Sequence, residues 1–395
     1  MCIMSDNRRF YLYCRHNNVD IRNELGMPDY SYKFVENYFQ QTLQIFGEVI
    51  EVSDASELPE QLDSSDYLLV FAPPHEVPRD HLASAIPVFA WEYSTIPNEK
   101  LNDNDLWDWQ HVLQSSRGAI THSSFTIEAL EAADVSVPKI ALYSPLYDEF
   151  AHLASEKKPT QWTIDCEGLV WDSATKSNSK TISFHEVTFT YVFNPVDGRK
   201  RWEEAVTAFV WAHRENSKAA LILKLIHKDQ EKALGLVRDF VKQLGDINCR
   251  VVVICGFLSD SNYQQLIKGS NFVVNTSCGE GQCLPLIEFM SAGVPAVSPR
   301  HTAMSDYIND ENSFVVDHSW SWVPWPNDPH LRFRCMNYPI KWESLCETYR
   351  VSYETVKNNY EKYLIMRMRA TEEMSKLCSK KIVEAKLLNF IEALS

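Results

Sequence analysis

Short apolar segments alternate with helical patterns along most of this sequence, and this alternation is typical of parallel sheets wound by crossover helices. The first part of the chain predicts strands at residues 10–14, 48–52, 67–72, 88–91, 119–121 and 139–143. The second part predicts strands at residues 188–193, 220–225, 250–255 and 271–275, with helices at 202–215, 230–244 and 263–269. The expected fold class is therefore α/β, with two Rossmann-like units.

A length of 395 residues exceeds what one hydrophobic core usually supports, so two domains are expected. Prolines and aromatic residues at 320–338 predict an irregular loop. From residue 342 onward the apolar spacing is helical and proline is absent, so a long terminal helix should pack back on the first domain. The expected division is an N-terminal domain at 1–148, a linker with a surface excursion at 149–185, a second domain at 186–345 and crossing helices at 346–395.

The formal net charge of −15 disfavours nucleic acid and anionic membranes as partners, because both attract a basic protein face. No segment approaches the ~20 apolar residues of a membrane span, and residues 1–9 lack the apolar core of a signal peptide. We therefore expect a cytoplasmic location and no integral membrane segment. The ten cysteines have no zinc-site spacing, which predicts buried thiols and no metal centre.

The strongest chemical signal is the segment NTSCGEGQCLPLIEFMSAGVPAV at residues 275–297. A strand leads into a loop with glycines, Pro285 suits the first turn of a helix, and Gly293 suits its end. The free N–H groups and positive dipole end of such a helix favour an anion such as a diphosphate. Glu280 and Glu288 flank this position, where carboxylates are suited to accept hydrogen bonds from sugar hydroxyls.

This segment resembles the donor-binding motif of retaining GT-B glycosyltransferases, in particular glycosyltransferase family 4, which has two glutamates in an E-x7-E pattern. The matching residues are Glu280, Gly281, Leu284, Pro285, Glu288, Met290, Gly293 and Pro295. The resemblance implies that Glu288 binds the ribose and that Glu280 contacts the donor sugar. It also implies that the backbone amides of Gln282, Cys283 and Leu284 bind the phosphates. The family often has Phe and Gly where this chain has Gln282 and Cys283.

A second match is the loop at residues 191–202, which carries an Arg and a Lys on the diphosphate in family members. Here Asn194 stands at the usual Arg position, and Arg199 stands near the Lys position with Lys200 beside it. Arg199 is favoured over Lys200 because a guanidinium can contact two phosphate oxygens at once.

A third match is the segment at residues 253–260, which lines the nucleotide base in the family. The resemblance makes Gly256, Phe257 and Leu258 the candidate base contacts. The loop at 301–305 follows the next strand and is a weaker candidate for facing the sugar and the base.

The first domain should bind the acceptor, and its main candidate is Glu92. This residue follows a predicted strand, and ligands of open α/β sheets lie at the carboxyl ends of strands. The surrounding sequence FAWEYSTIP resembles a segment of some bacterial polysaccharide glycosyltransferases, so Glu92 would orient or deprotonate the acceptor hydroxyl.

The loop at 15–18 is another candidate contact, and His122 is expected to be structural. Residues 103–105 spell D-x-D, but no apolar strand precedes them, so they predict a solvated loop or helix start.

The resemblance implies transfer of a sugar from a nucleotide-diphosphate donor to a hydroxyl of a glycan or glycoconjugate, with retention of anomeric configuration. No metal or other cofactor is expected, because cations and helix amides would stabilise the leaving diphosphate. Association with other glycan-assembly enzymes in polysaccharide biosynthesis fits the same resemblance. The predicted catalytic residues are Glu280, Arg199, Lys200 and Glu92. The alternatives are a non-catalytic GT-B subunit that binds sugar or a partner chain, and a sugar-nucleotide epimerase or glycan phosphorylase on the same fold.

Overall fold

The computed structural model describes residues 8–15, 25–26, 30–100, 104–163, 168–175, 180–184, 187–325, 328 and 330–394. The first half of the chain forms strands β1 (Arg9–Tyr13), β2 (Glu48–Val52), β3 (Asp66–Phe71), β4 (Ala85–Phe89), β5 (Ala119–Thr121) and β6 (Lys139–Ala141). They pair in parallel in the order β2-β1-β3-β4-β5-β6. The associated helices are α1 (Tyr30–Leu43), α2 (Trp109–Gln114), α3 (Ser124–Ala132) and α4 (Tyr147–Phe150). All six strands were predicted from their apolar runs.

A second sheet belongs to the other half of the chain. Its strands are β8 (Leu169–Asp172), β10 (Val187–Phe193), β11 (Ala219–Leu225), β12 (Arg250–Cys255), β13 (Phe272–Val274), β14 (Ala296–Pro299) and β15 (Ser313–Val316), and a separate short strand β7 (Gln161–Thr163) pairs with β9 (Thr181–Ser183). The strand order is β15-β14-β13-β10-β11-β12-β8, and β8 alone among them is antiparallel to its neighbour. The order reverses between β10 and β13, as in a dinucleotide-binding sheet.

The crossovers of the second sheet are α5 (Trp202–His213), α6 (Gln230–Gln243), α7 (Asp260–Gly269) and α8 (Leu284–Ser291). Helix α7 begins three residues earlier than the sequence predicted, because the Ser259 hydroxyl caps its first turn by accepting from the amide of Asn262. Short 3₁₀ turns connect other elements, at Ala55–Glu57, Pro74–Glu76, Arg79–Ser84, Asp105–Trp107, Ala151–Ser155, Gly198–Lys200 and Thr302–Asp306.

The segment at 149–185 is more than the predicted linker and excursion, because β8 joins the second sheet as an edge strand. Trp171 is 5% exposed and packs in the core of this domain. Asp172 accepts a hydrogen bond from Nη2 of Arg250 at 2.5 Å. These contacts with distant residues stabilise β8 as a strand, although the sequence on both sides of this short apolar run is polar.

The loop predicted at 320–338 is a β-hairpin in its described part, formed by β16 (Ser321–Pro324) and β17 (Arg334–Asn337). Trp325 and Cys335 are buried and pack with the core of the first domain. Burial of these side chains against another domain orders a segment whose local sequence predicted no strand.

The predicted terminal helix is three helices, α9 (Trp342–Asn358), α10 (Tyr360–Cys378) and α11 (Lys380–Ala393). The breaks fall at Asn359 and Ser379, where the backbone leaves the helical region. Helix α9 packs on α5, α10 on α8, and α11 on α1, so the chain returns to the first domain as predicted. Across the described residues, every helix is too short or too polar to span a bilayer.

Candidate functional site

A cleft of ≈ 810 Å³ lies between the carboxyl ends of the two large sheets and is lined by residues of both domains. The first domain contributes Glu92 after β4 and His122 after β5. The second domain contributes the loops after β10, β12 and β13. Ligands of open α/β sheets bind where the strand order reverses, which here is the crevice between β10 and β13. This cleft therefore coincides with the segments that the sequence singles out.

Helix α8 begins at the floor of this cleft with an unusual N-cap. Cys283 has φ 63° and ψ 67°, a left-handed conformation that costs an L-residue about 1–2 kcal/mol, and its side chain makes no capping hydrogen bond. The conformation explains why a glycine would suit this position. Within the described residues, the amides of Gln282, Cys283 and Leu284 donate to no protein acceptor. They remain able to donate to an anion.

Gly281 lies where the loop before α8 touches the first domain. A Cβ atom at this position would stand 2.8 Å from both the Cβ of Ala90 and the backbone nitrogen of Trp91. Any larger residue would push the two domains apart at the cleft. Packing between the two domains therefore favours glycine at this motif position, in addition to any contact with a ligand.

Glu280 is 5% exposed and has two polar partners in the cleft. Its Oε1 atom accepts from Nζ of Lys200 at 2.6 Å and from the hydroxyl of Ser277 at 2.5 Å. Burial acts against the charge of Lys200, but the Glu280 carboxylate raises the pKa of this lysine above its ordinary value. The pair holds the Lys200 ammonium group in the cleft, against a carboxylate of the loop that precedes α8.

Arg199 is held by acceptors on three sides. Its Nη1 atom lies 2.9 Å from Oε1 of Glu92 and donates to the carbonyl of Gly279 at 3.1 Å, and its Nη2 donates to Asp197 at 2.8 Å. Burial opposes the charge, yet the two carboxylates raise the pKa of Arg199 well above its ordinary value. The sequence favoured Arg199 as the phosphate ligand, but the geometry leaves Lys200, with one carboxylate partner, the less engaged cation.

Glu288 lies in the second turn of α8 at the far side of the cleft. Its Oε2 accepts from the hydroxyl of Tyr263 at 2.5 Å. Burial is the main cause that raises the pKa of Glu288 to about 7; the Tyr263 hydrogen bond opposes this rise and the Glu149 carboxylate adds to it. The carboxyl group can therefore change its protonation state near neutral pH.

The remaining predicted donor contacts differ in their surroundings. The Asn194 side chain lines the cleft and donates to the carbonyl of Gly26 in the first domain at 2.8 Å. Phe257 and Leu258 line the cleft, whereas Gly256 does not, and its carbonyl instead accepts from Nζ of Lys224 at 2.6 Å. The side chain of Gln282 accepts from Ser144 at 3.2 Å.

Sequence reasoning missed several cleft residues. Lys224 is 4% exposed at the end of β11, and a lysine inside the apolar run ALILKL was a signal for it. Asp197 and Tyr263 act as partners of predicted residues, and nothing in their local sequence marked them.

His122 lines the cleft with Nδ1 2.8 Å from the carbonyl of Leu142, while its buried Nε2 has no partner among the described groups.

The weaker candidates lie elsewhere or outside the described part. Residues 16–18 of the 15–18 loop and Asp103 of the D-x-D triplet lie outside the described residues. Asn104 caps a 3₁₀ turn, and Asp105 pairs with Lys100 at 2.9 Å, which matches a helix start. His301 is buried against the ring of Tyr338. Groups of three or more His, Cys, Asp or Glu suited to a metal are absent from the described residues.

Comparison with known proteins gives one family match. Residues 204–321, from α5 to β16, match the model of the family described as glycosyl transferases group 1. No curated protein sequence matches the chain. The matched range contains Glu280, Glu288 and the whole of α8.

Solved structures with the same arrangement of domains include two bacterial proteins in complexes. A mutant of TarM from S. aureus, bound to Fondaparinux, alpha-GlcNAc-glycerol and UDP, aligns with TM-score 0.52 and 11% identity over 85% of this chain and 57% of TarM. The pneumococcal O-GlcNAc transferase GtfA, bound to UDP and GlcNAc, aligns with TM-score 0.53 and 12% identity over 93% of this chain and 60% of GtfA. This chain thus spans less than two thirds of either protein.

A third structure matches over nearly the full length of both chains. HepE from Anabaena, in complex with UDP-glucose, aligns with TM-score 0.54 and 10% identity over 98% of this chain and 99% of HepE. At these identities the likeness concerns the fold alone, which is GT-B: two Rossmann-like domains facing each other across a cleft.

Proposed function

We propose that this chain transfers a sugar from a nucleotide-diphosphate donor to a hydroxyl of a glycan or glycoconjugate, because residues 204–321 match the group 1 glycosyl transferase model and the fold is GT-B. One observation carries the proposal: the start of α8, Lys200 and Glu280 converge in the interdomain cleft. Together they would form an anion site beside a buried carboxylate, which suits a sugar diphosphate.

The diphosphate would lie against the first turn of α8. The amides of Gln282, Cys283 and Leu284 would donate to its oxygens, and the helix dipole would add a positive field. Lys200 would neutralise the charge that grows on the distal phosphate as the glycosidic bond breaks. These groups are fixed before the reaction, so they can stabilise the transition state without reorganising and without a metal ion.

The nucleoside would extend along the second domain. Glu288, positioned by the hydroxyl of Tyr263, would accept hydrogen bonds from the ribose hydroxyls. Phe257 and Leu258 line the adjacent part of the cleft and would cover the base. TarM, GtfA and HepE are solved with UDP or UDP-glucose, which makes UDP-sugars the first donors to test.

The donor sugar would then lie between Glu280 and the first domain. Glu280 is already bonded to Lys200 and Ser277, so it would accept from sugar hydroxyls rather than act as a nucleophile. Glu92 and His122 would face the acceptor from the first domain. With no side chain assigned as a covalent nucleophile, attack on the face that the diphosphate leaves would retain the anomeric configuration.

The first experiment is a thermal-shift titration of the purified chain with UDP, GDP and ADP in the presence of EDTA. A ligand at 100 times its Kd stabilises a protein by about 2.7 kcal/mol, so a specific nucleotide should stand out. Glu288→Gln should weaken that stabilisation, while Glu311→Gln, an exposed glutamate outside the cleft, should leave it unchanged. Absence of stabilisation by every nucleoside diphosphate would overturn the proposal.

A second candidate function is a GT-B subunit that binds a donor or partner without turnover. The favouring observation is that Glu92 and Asp197 both hold the Arg199 guanidinium, which a donor would otherwise engage. A subunit of this type would bind the nucleotide tightly yet release no diphosphate from the matching nucleotide sugar with any acceptor. Under both proposals the protein would act in the cytoplasm and would associate with other glycan-assembly enzymes.

A further inference from the structure

A second, smaller cavity lies at the opposite end of the second domain from the cleft. Its volume is ≈ 60 Å³, several times what one ordered water needs. Ser270 and Asn271, just before β13, form its wall, so it opens at the amino ends of the strands. None of its lining residues belongs to the cleft.

The cavity lies where the chain crosses twice between the domains. Leu153 to Lys158 belong to the first crossing, which leads from α4 to β7. Tyr360, Tyr363 and Arg367 belong to α10, which leads back toward the first domain. A ligand in this cavity would contact both crossing segments at once.

The lining carries more positive than negative charge. It includes three cations, Lys158, Lys268 and Arg367, and one carboxylate, Glu156, which pairs with Lys268 at 2.9 Å. Two cations are therefore left without a carboxylate partner among the described residues.

The partners of these two cations are neutral. Nζ of Lys158 donates to the side-chain oxygen of Asn271. The Arg367 guanidinium donates to the carbonyls of Gly293 and Ala154, at 2.8 and 3.2 Å. Carbonyl and amide oxygens satisfy hydrogen bonds but do not neutralise charge.

The titration of Lys158 agrees with this arrangement. Burial, and secondarily the charge of Arg367, lowers the pKa of Lys158 to about 7. An anion in the cavity would oppose both causes of the shift, because it would pair with the ammonium group and offset its repulsion from the guanidinium. Holding two partly buried cations in one cavity with no counterion is otherwise unfavourable.

We propose that this cavity binds a phosphate group, held by Lys158 and Arg367, and that the bound group joins the two crossing segments of the chain. Lysine and arginine are the usual ligands of phosphate oxygens. The volume suits a single phosphate and excludes a nucleotide. The phosphate could belong to a soluble phosphate ester or to a lipid headgroup, which present the same chemistry. The inference does not depend on the proposed transferase activity.

The test is calorimetric titration of the full chain with inorganic phosphate, with chloride at equal ionic strength as the reference. Because phosphate could also enter the cleft, the titration is repeated in Lys200→Gln, whose cleft has lost a cation. Saturable binding should persist in Lys200→Gln and should weaken at least about tenfold in Lys158→Gln.

Lys157→Gln is the matched control. Lys157 is the exposed neighbour of Lys158, and its substitution removes the same charge. It should leave the phosphate affinity within about twofold of the wild type. Equal weakening by the Lys157 and Lys158 variants, or no saturable binding in Lys200→Gln, would overturn the proposal.

Sedimentation with vesicles distinguishes the two sources of phosphate. The vesicles contain phosphatidylcholine, a phosphodiester, with or without phosphatidic acid, whose headgroup is a phosphate monoester. Binding that needs phosphatidic acid and is lost in Lys158→Gln assigns the site to a lipid headgroup. Phosphate binding in solution without vesicle binding assigns it to a soluble ester.

Discussion

Nη1 of Arg199 and Oε1 of Glu92 lie 2.9 Å apart, and they join the loop after β10 to the end of β4 across the cleft. The side chains of the pair are 25% and 17% exposed, so the contact is only partly screened by water. Both side chains belong to the lining of the cleft. A donor diphosphate would have to share Arg199 with two carboxylates, which is why we assign the phosphate contact to Lys200.

The first prediction concerns the free energy of this ion pair. Glu92→Gln should lower the free energy of unfolding by about 1–2 kcal/mol, because a half-buried cation loses one partner but keeps Asp197. Urea unfolding of the two single variants and the double variant with Arg199→Gln should give a coupling of roughly 1 kcal/mol. Glu99→Gln breaks an exposed pair with Arg332 and should cost less than about 0.5 kcal/mol. A coupling near zero would mean that the contact contributes nothing to the stability of the fold.

The second prediction is a pH dependence of nucleotide binding. The pKa of Glu288 is raised to about 7, so the carboxylate that accepts from ribose hydroxyls forms as the pH rises through neutrality. Nucleotide affinity should therefore increase by up to roughly tenfold between about pH 6 and about pH 8. Fluorescence or calorimetric titration across this range measures it.

Two variants check the assignment to Glu288. Glu288→Gln should flatten the pH profile, because the amide does not titrate. Tyr263→Phe removes a hydrogen bond that favours the carboxylate, so it should move the midpoint to higher pH. A profile that is unchanged in Glu288→Gln would assign the titration to another group.

The third prediction concerns the left-handed N-cap at Cys283. Cys283→Val should destabilise the fold by about 1–3 kcal/mol, because a β-branched residue is strongly disfavoured at this φ. Cys283→Gly should change stability by less than about 1 kcal/mol, since relief of the conformational cost is offset by greater freedom of the unfolded chain. Thermal or urea unfolding distinguishes the two, and equal stability of the Val and Gly variants would contradict the strain.

The fourth prediction is that transfer does not require a divalent cation. Lys200 and the amides at the start of α8 carry the charge of the diphosphate, so EDTA should leave the rate within about twofold. A rate that EDTA abolishes and that manganese or magnesium restores would show that an ion acts in the cleft. Asp105 would then need to be examined with Asp103.

The strands and crossover helices could be predicted because their signals are local. Buried strands such as β11 and β12 are continuous apolar runs, and α8 has Pro285 at its start and Gly293 at its end, where φ is 72°. The motif from Glu280 to Glu288 likewise lies within one loop and one helix. Residues close together in sequence determine both.

What could not be predicted depends on contacts between distant residues. The hairpin around Trp325 and the strand β8 are ordered by partners from other parts of the chain. The same holds for Arg199, whose position in sequence suggested a phosphate ligand but not its pairing with Glu92. The functional role of a charged side chain depends on its neighbours across the cleft, and one loop does not specify them.

We propose that sugar transfer takes place in this cleft and that Lys200 stabilises the departing diphosphate. The most direct measurement is the single-turnover rate of sugar transfer from a UDP-sugar in wild type and Lys200→Ala, with NMR of the first product. We expect retained anomeric configuration and a rate lowered at least about 10²-fold in the variant, with a smaller loss of nucleotide affinity. An inverted product, or a Lys200→Ala rate equal to the wild type, would contradict it.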